Sequence, residues 1–481
     1  MNPDTKEIEL ITKTENIDIN LNLLAPNGRY TCNIAEASND QIVFCINRFN
    51  SGFTVYKASL ADQNPNAGKI VITTDGTDSS IYDAIYLFNR TDDDYFVRMV
   101  PYKYDDLSDS YYTDSDTFTY ETAYYYMADS GNQMMVDLIA GDCPDVVFYA
   151  SWYSQLNNKN CMYDLTELYD ASDLSNSVFD NIVSACKTND GLFCFPLYYT
   201  ICGITVDQRS YDYNGYGMTF DDYYDFTYGY CNGTNILGMN QSQFMDICLQ
   251  NSLDLYLTSD TIDLDNEYFR NIAEYTSVNI FNPDLDTYLT STSQYSTNIT
   301  SHGQWIDYLN SNHIPVGEAR IVGYPSPDGR GLAANICTGA SITQGCSCPE
   351  GAWRFICMLC NTDIQTLECL PEDIRWDPGR YFPINRNAFD TVAVDFVDRY
   401  NTEKREYYEN MGIHDIPVIE LEDIEILGDA VASIDHIMAS DSDIELIVYE
   451  EMQAYYVGDK TLDEVIEIIN DRARIAMSER A

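Results

Sequence analysis

The stretch KIVITTDGTDSSIYDAIYLFNRTDDDYFVRMV, residues 69–100, decides the fold class. Lys69 to Thr73 is a β-branched run of strand length. Ser80 to Asn89 then carries Ile81, Ile85 and Phe88 at the spacing that places them on one face of a helix, and Tyr95 to Tyr102 returns to a strand-like pattern. Strand, helix and strand in this order form a βαβ unit, whose crossover makes the two strands parallel. The pattern repeats downstream. Asn132 to Ile139 reads as helix through Met135, Val136 and Ile139, Gly141-Asp142-Cys143-Pro144 breaks it, and Asp145 to Tyr149 is an apolar strand. Repeated units of this kind predict an α/β fold with a parallel-rich sheet covered by helices on both faces.

Upstream, the first 65 residues stand apart. Gln41 to Asn47 and Phe53 to Leu60, joined by Phe49-Asn50-Ser51-Gly52, predict a β-hairpin, and Asn64 to Gly68 marks a boundary. A lone hairpin is marginal in water, so it must pack on something or belong to a larger β-domain. Two segments, Tyr102 to Tyr126 and Tyr211 to Tyr230, are dominated by Tyr and Asp; they read as solvated insertions or as aromatic, acidic rims over a cleft. The C-terminal end is helical: Glu445 to Tyr456, a stop at Gly458, then Thr461 to Ile475 opened by Thr461 and Glu464 at capping-box spacing.

The 481 residues contain 26 Lys plus Arg against 77 Asp plus Glu, a net charge of −51. Nucleic-acid backbones and anionic membrane surfaces repel such a chain, which excludes both as partners. Disorder is excluded by the 45% hydrophobic content, 13% of the chain being aromatic. No apolar run approaches bilayer length, and Met1 to Leu10 is acidic and polar, unlike a secretion signal. The chain is therefore either cytosolic or exported with its leader removed. Fifteen cysteines, an odd number, fit reducing surroundings in which thiols serve as small apolar groups.

Most catalytic patterns are absent. There is no phosphate-binding loop, dinucleotide fingerprint, metalloprotease motif or nucleophile elbow, and the four histidines, His302, His313, His414 and His436, are not at ligand spacing. A glycosidase-like carboxylate pair stays open, because 77 acids make chance pairs inevitable. Cys357 and Cys360 have a zinc-like spacing within the cluster Cys346, Cys348, Cys357, Cys360 and Cys369, but Ala352, Phe355, Ile356 and Leu359 surround them with a helical apolar pattern, which favours core filling over metal. The acidic run Asp260 to Glu267 lacks the glycine of a calcium loop. Neither catalytic residue, metal nor cofactor is predicted.

Twelve short motifs recur in a particular order. They include Lys69 to Gly76, Phe88-Asn89-Arg90-Thr91, Asp137 to Gly141 running into Pro144 to Val147, Phe195-Pro196-Leu197-Tyr198, Gly303-Gln304-Trp305, Gly323 to Gly329, Ala352-Trp353-Arg354-Phe355, Phe382-Pro383-Ile384-Asn385 and Gly458 to Val465. From residue 69 onward this order resembles the extracellular solute-binding proteins that deliver sugars to ABC importers, the relatives of maltose-binding protein. The resemblance implies a type II periplasmic-binding-protein-like fold, with two α/β lobes joined by a hinge around a ligand cleft. Carried over by position, 66–195 plus 341–390 form lobe one, 203–333 plus 391–481 form lobe two, and 196–202 and 334–340 are the hinge crossings. Residues 1–65 are an N-terminal β-rich extension, and some relatives carry a β-propeller there.

The resemblance also implies a carbohydrate ligand, ABC permease subunits as partners, no catalysis, a monomer, and an extracellular lipoprotein whose anchor segment is not part of this sequence. Sugars present hydroxyl pairs and an apolar face, so their receptors need aromatic planes and planar carboxylates or amides. The ligand-binding candidates are Asp75, after the first strand and before a helix N-terminus; Trp152, at the carboxyl edge of a strand; Tyr198 and Tyr199 on the first crossing; Trp305; and Tyr324 and Asp328 on the loop before the second. The same fold with a peptide or polyamine ligand is the alternative, for which the negative charge supplies steering.

Overall fold

The computed structural model describes residues 30–38, 41–48, 52–59, 66–76, 78–100, 120–209, 213, 215–229, 231, 237–257, 262–280, 298–371, 373–413 and 416–480. Met1 to Leu10, most of the Tyr102 to Tyr126 segment, the ends of the Tyr211 to Tyr230 segment, the start of the acidic run at Asp260, and His414 lie outside the described residues. The strands are β1 (Tyr30–Ser38), β2 (Gln41–Arg48), β3 (Gly52–Ser59), β4 (Ile70–Thr74), β5 (Tyr95–Met99), β6 (Val146–Val147), β7 (Phe195–Cys202), β8 (Ile204–Asp207), β9 (Met218–Thr219), β10 (Asn298–Ile299), β11 (Ala319–Val322), β12 (Pro325–Ser326), β13 (Leu332–Ile342), β14 (Phe382–Pro383) and β15 (Ile434–Ile437).

The N-terminal extension is a three-stranded antiparallel sheet, β1-β2-β3, so the expected hairpin gains a strand. A shift of register between Ile34 and Glu36 breaks the period of two in β1, which hides it from pattern reading. The decisive stretch folds as β4, the helix Ser79–Thr91 and β5, with β4 and β5 parallel in register Ile70 opposite Tyr95. The main sheet has the order β10-β7-β13-β6-β4-β5, with β14 on β7 and β15 on β13. It is mixed: β5, β4 and β6 run parallel, whereas β13 is antiparallel to both β6 and β7. β6 is shorter than the apolar run Asp145 to Tyr149, because the chain winds into a tight turn at Tyr149–Trp152 directly after it.

Burial of apolar side chains produces two large cores. The first includes Ile72, Ile85, Val146, Phe195, Ile342 and Trp353; the second includes Val206, Phe244, Phe269, Ile444 and Val465. A smaller cluster joins Met134, Leu138, Tyr153 and Phe193. The chain passes from first core to second between Ile201 and Cys202 in β7 and between Ile434 and Ile444 after β15, and it returns to the first core along β13, where Ala333 packs in the second core and Leu332, Ala334, Ile336, Ala340 and Ile342 in the first. The helix His302–Ser311 and much of residues 391–434, expected in lobe two, pack in the first core through Trp305, Leu309, Val392, Phe396, Leu427 and Val431. The physical reason is that an amphipathic pattern states which face of a helix is buried, not which neighbour buries it.

The crossings are tightly built. A Cβ on Gly203, between β7 and β8, would lie 2.5 Å from the Val322 carbonyl oxygen. At the third crossing His436 is buried, with Nε2 2.9 Å from Asn251 Oδ1 and Nδ1 2.6 Å from Asp435 Oδ1. Asn251 directs its Nδ2 donor to the carbonyls of Tyr324 and Pro325, so its Oδ1 faces the ring as acceptor. No described helix is long and apolar enough to cross a membrane.

Candidate functional site

The carboxyl end of β4 leads into Asp75-Gly76 and then the helix Ser79–Thr91, the place where open α/β sheets bind ligands. Gly76 has φ +105°, and a Cβ there would meet Ile81 Cδ1 at 2.4 Å, so only glycine fits the turn. The turn delivers Asp75, 3% exposed, beside β6: its Oδ1 accepts the Phe148 N–H at 3.3 Å, while Oδ2 has no partner among the described residues. Burial outweighs that hydrogen bond and pushes the Asp75 carboxyl up to about 7.

Three residues on, Asp78 accepts from the Thr338 hydroxyl of β13 at 3.3 Å. Burial and the nearby Glu368 carboxylate raise its pKa, against the pull of Thr338 and Arg380. Glu368 takes the first turn of the helix Ser79–Thr91, accepting from the Ser79 hydroxyl and from the Ser80 N–H at 3.0 Å. The positive end of that helix is thereby occupied by a protein carboxylate. Beneath it, the buried Ser80 and Tyr198 hydroxyls interact with each other, and Tyr198 feels the charges of Glu368 and Asp78.

The aromatic side of the site is Trp152. It closes the Tyr149–Trp152 turn, donates Nε1 to the Cys337 carbonyl at 3.0 Å, and remains 39% exposed. Cys337 and Thr338 are neighbours on β13, so one dipeptide anchors both the indole and Asp78. Tyr381, half-buried, lies with its ring centroid 6.4 Å from that of Tyr198 and is influenced by the charges of Asp78, Arg380 and Glu368. The arrangement offers an anchored aromatic ring, acceptors in excess and one buried carboxylate oxygen without a partner among the described residues.

The structure thus brings Asp75, Trp152 and Tyr198 into one neighbourhood. Tyr199 is fully buried against Phe179 and Phe382, and Trp305 is fully buried in the first core. Gly303-Gln304-Trp305 is the first turn of a helix capped by Ser301, which turns the indole inward as packing rather than toward a cleft. Tyr324 is buried in the second core and donates its hydroxyl to Asn298 at 3.1 Å; Asp328 is exposed and paired with Arg330 at 3.2 Å. Both stand beside the third crossing, apart from the Trp152 group.

Sequence reading misses Asp78, Thr338, Glu368, Arg380 and Tyr381. Asp78 follows Asp75 by three positions, and Arg380-Tyr381 immediately precede Phe382-Pro383-Ile384-Asn385, so both had a local signal. Thr338 and Glu368 had none, since they reach Asp78 and Ser79 from 260 and 289 residues away. Cys360 is buried and Cys357 packs against the first core, where burial pushes the Cys357 thiol up to about 12. Among the described residues no group of three or more His, Cys, Asp and Glu is arranged to hold a metal.

The backbone has fold-level counterparts among solved structures. It superposes on a periplasmic oligogalacturonide binding protein from Yersinia enterocolitica with a TM-score of 0.51 and 14% identity, over 85% of this chain and 100% of that one. With the sugar-binding protein MalE from Xanthomonas citri the TM-score is 0.51 at 10% identity, over 85% and 98% of the two chains. The chain has the periplasmic-binding-protein fold. Identities this low make the likeness one of two-lobed architecture. No family model matches the chain, and no curated protein matches it in sequence.

Proposed function

We propose that this protein captures a carbohydrate, an oligosaccharide, between its lobes and hands it to the permease of an ABC importer at the cell surface. The observation that carries this reading is Trp152, a partly exposed indole held by its Nε1 hydrogen bond to Cys337, the neighbour of the Thr338 that binds half-buried Asp78, three residues from buried Asp75. A sugar stacks its C–H face on such a ring and donates its hydroxyls to such acceptors. The fold supports the reading, because its counterparts include proteins described as oligogalacturonide-binding and sugar-binding. Ligand touching both lobes favours the closed form and shifts the population toward it, with motion about the crossings near Gly203, Leu332 and His436. No covalent bond is made or broken in this scheme.

The test is a thermal-shift screen over an oligosaccharide panel, followed by calorimetry. A ligand at 100 times its Kd stabilises the native state by about 2.7 kcal/mol. Trp152→Ala should weaken binding by about tenfold or more, the cost of losing a stacked ring, while leaving the free protein's melting temperature nearly unchanged. A panel without response, or steady release of cleaved sugar, would overturn the proposal. A second reading, a cationic peptide or polyamine, draws on the Asp78 and Glu368 carboxylates; affinity that falls with ionic strength and ignores Trp152 would favour it.

A further inference from the structure

Resting on the carbohydrate reading, the geometry points to a narrower ligand class: we infer that the Trp152 site selects saccharides bearing a protonated amine and rejects uronates. Three features converge. The first concerns anions. A ligand carboxylate would normally seek the N-terminus of the helix Ser79–Thr91, but Glu368 already accepts the Ser80 N–H at 3.0 Å and the Ser79 hydroxyl, so that seat is filled by a fixed negative charge. An arriving uronate meets repulsion where a phosphate- or acid-binding protein would offer free N–H groups.

The second feature concerns charge. Glu368 is bound to Ser79 and Ser80, the two residues directly after Asp78, so two carboxylates flank the start of the helix Ser79–Thr91, and Arg380, which is exposed, is a cation that acts on Asp78. An ammonium placed between the two carboxylates relieves their repulsion, which a neutral hydroxyl cannot do.

The third is unfulfilled hydrogen bonding. Asp75 Oδ2 is a buried polar atom without a partner among the described residues, on a side chain 3% exposed. Buried polar atoms are almost always paired in a finished structure, so an unpartnered carboxylate oxygen marks a place for a ligand donor. Ionised carboxylates accept only, and an ammonium supplies three donors and no acceptor, the complement of Asp78 and Glu368. Trp152, held at Cys337, supplies the stacking surface that separates a sugar from a simple polyamine.

The experiment compares tetramers of matched length by calorimetry at low ionic strength and a pH that keeps the amine charged: a glucosamine oligomer, cellotetraose, and tetragalacturonate, with spermidine as a sugarless cation. The glucosamine oligomer should bind at least about tenfold tighter than cellotetraose, and tetragalacturonate at least about tenfold weaker. Glu368→Gln and, separately, Asp78→Asn should bring glucosamine oligomer and cellotetraose to within about threefold of each other. Both variants are checked by melting temperature, and one that folds suffices. Equal affinity for amino and neutral tetramers, or tightest binding of the uronate, overturns this inference and leaves carbohydrate capture standing. Spermidine matching the glucosamine oligomer in affinity, with Trp152→Ala indifferent, overturns the saccharide part. No response to any tetramer overturns both.

Discussion

Replacing Asp75 with asparagine should stabilise the ligand-free protein, and only at higher pH. The folded protein holds the Asp75 proton up to about pH 7, whereas an unfolded chain releases it near 3.8. Below about pH 4 both states are protonated and the residue costs nothing. As pH rises from there to 7, the unfolded state loses its proton first, so stability falls; above 7 the folded state carries a buried, half-partnered anion and the cost is complete. The gap between 7 and 3.8, at 1.36 kcal/mol per pH unit, sets that cost at about 4 kcal/mol as an upper bound. Asparagine keeps an oxygen for the Phe148 N–H and has no charge to desolvate. Calorimetric melting of both proteins from pH 4.5 to 8 without ligand should therefore show the advantage of Asp75→Asn growing with pH, by about 2–4 kcal/mol in all. Other buried acids, such as Glu445, lose stability over the same range but are common to both proteins and cancel. An advantage that stays flat across pH would refute the reasoning, because it would mean the Asp75 proton is not held by burial. The same logic says that a ligand donor reaching Oδ2 expels the proton, so binding near pH 6 should release acid.

Other predictions follow from packing. Trp305→Ala, deep in the first core, should cost about 3–5 kcal/mol in chemical denaturation. Gly203→Ala forces a carbon to 2.5 Å from the Val322 carbonyl and should cost about 1–3 kcal/mol, since backbone must shift at a crossing.

The chain by itself determined the kind of elements and the class of fold. Residues 69–100 carry a βαβ unit in their periodicity alone, because the alternation of a strand and the stripe of a helix are local properties of a dozen residues. The places of Asp75 and Trp152 in the fold were legible for the same reason: each follows a strand, at the carboxyl edge of the sheet. What lies outside that local range was decided in three dimensions. Trp305 and Tyr199 looked like ligand aromatics and became core, since burial depends on which helix or strand covers a ring, a matter of contacts between distant segments. Thr338 and Glu368 reached Asp78 and Ser79 only when β13 and the helix Thr362–Cys369 packed beside β4 and the helix Ser79–Thr91. Sequence spacing encodes a face and a period; charge set against charge, and a polar atom left without a partner, exist only once the backbone has closed on itself.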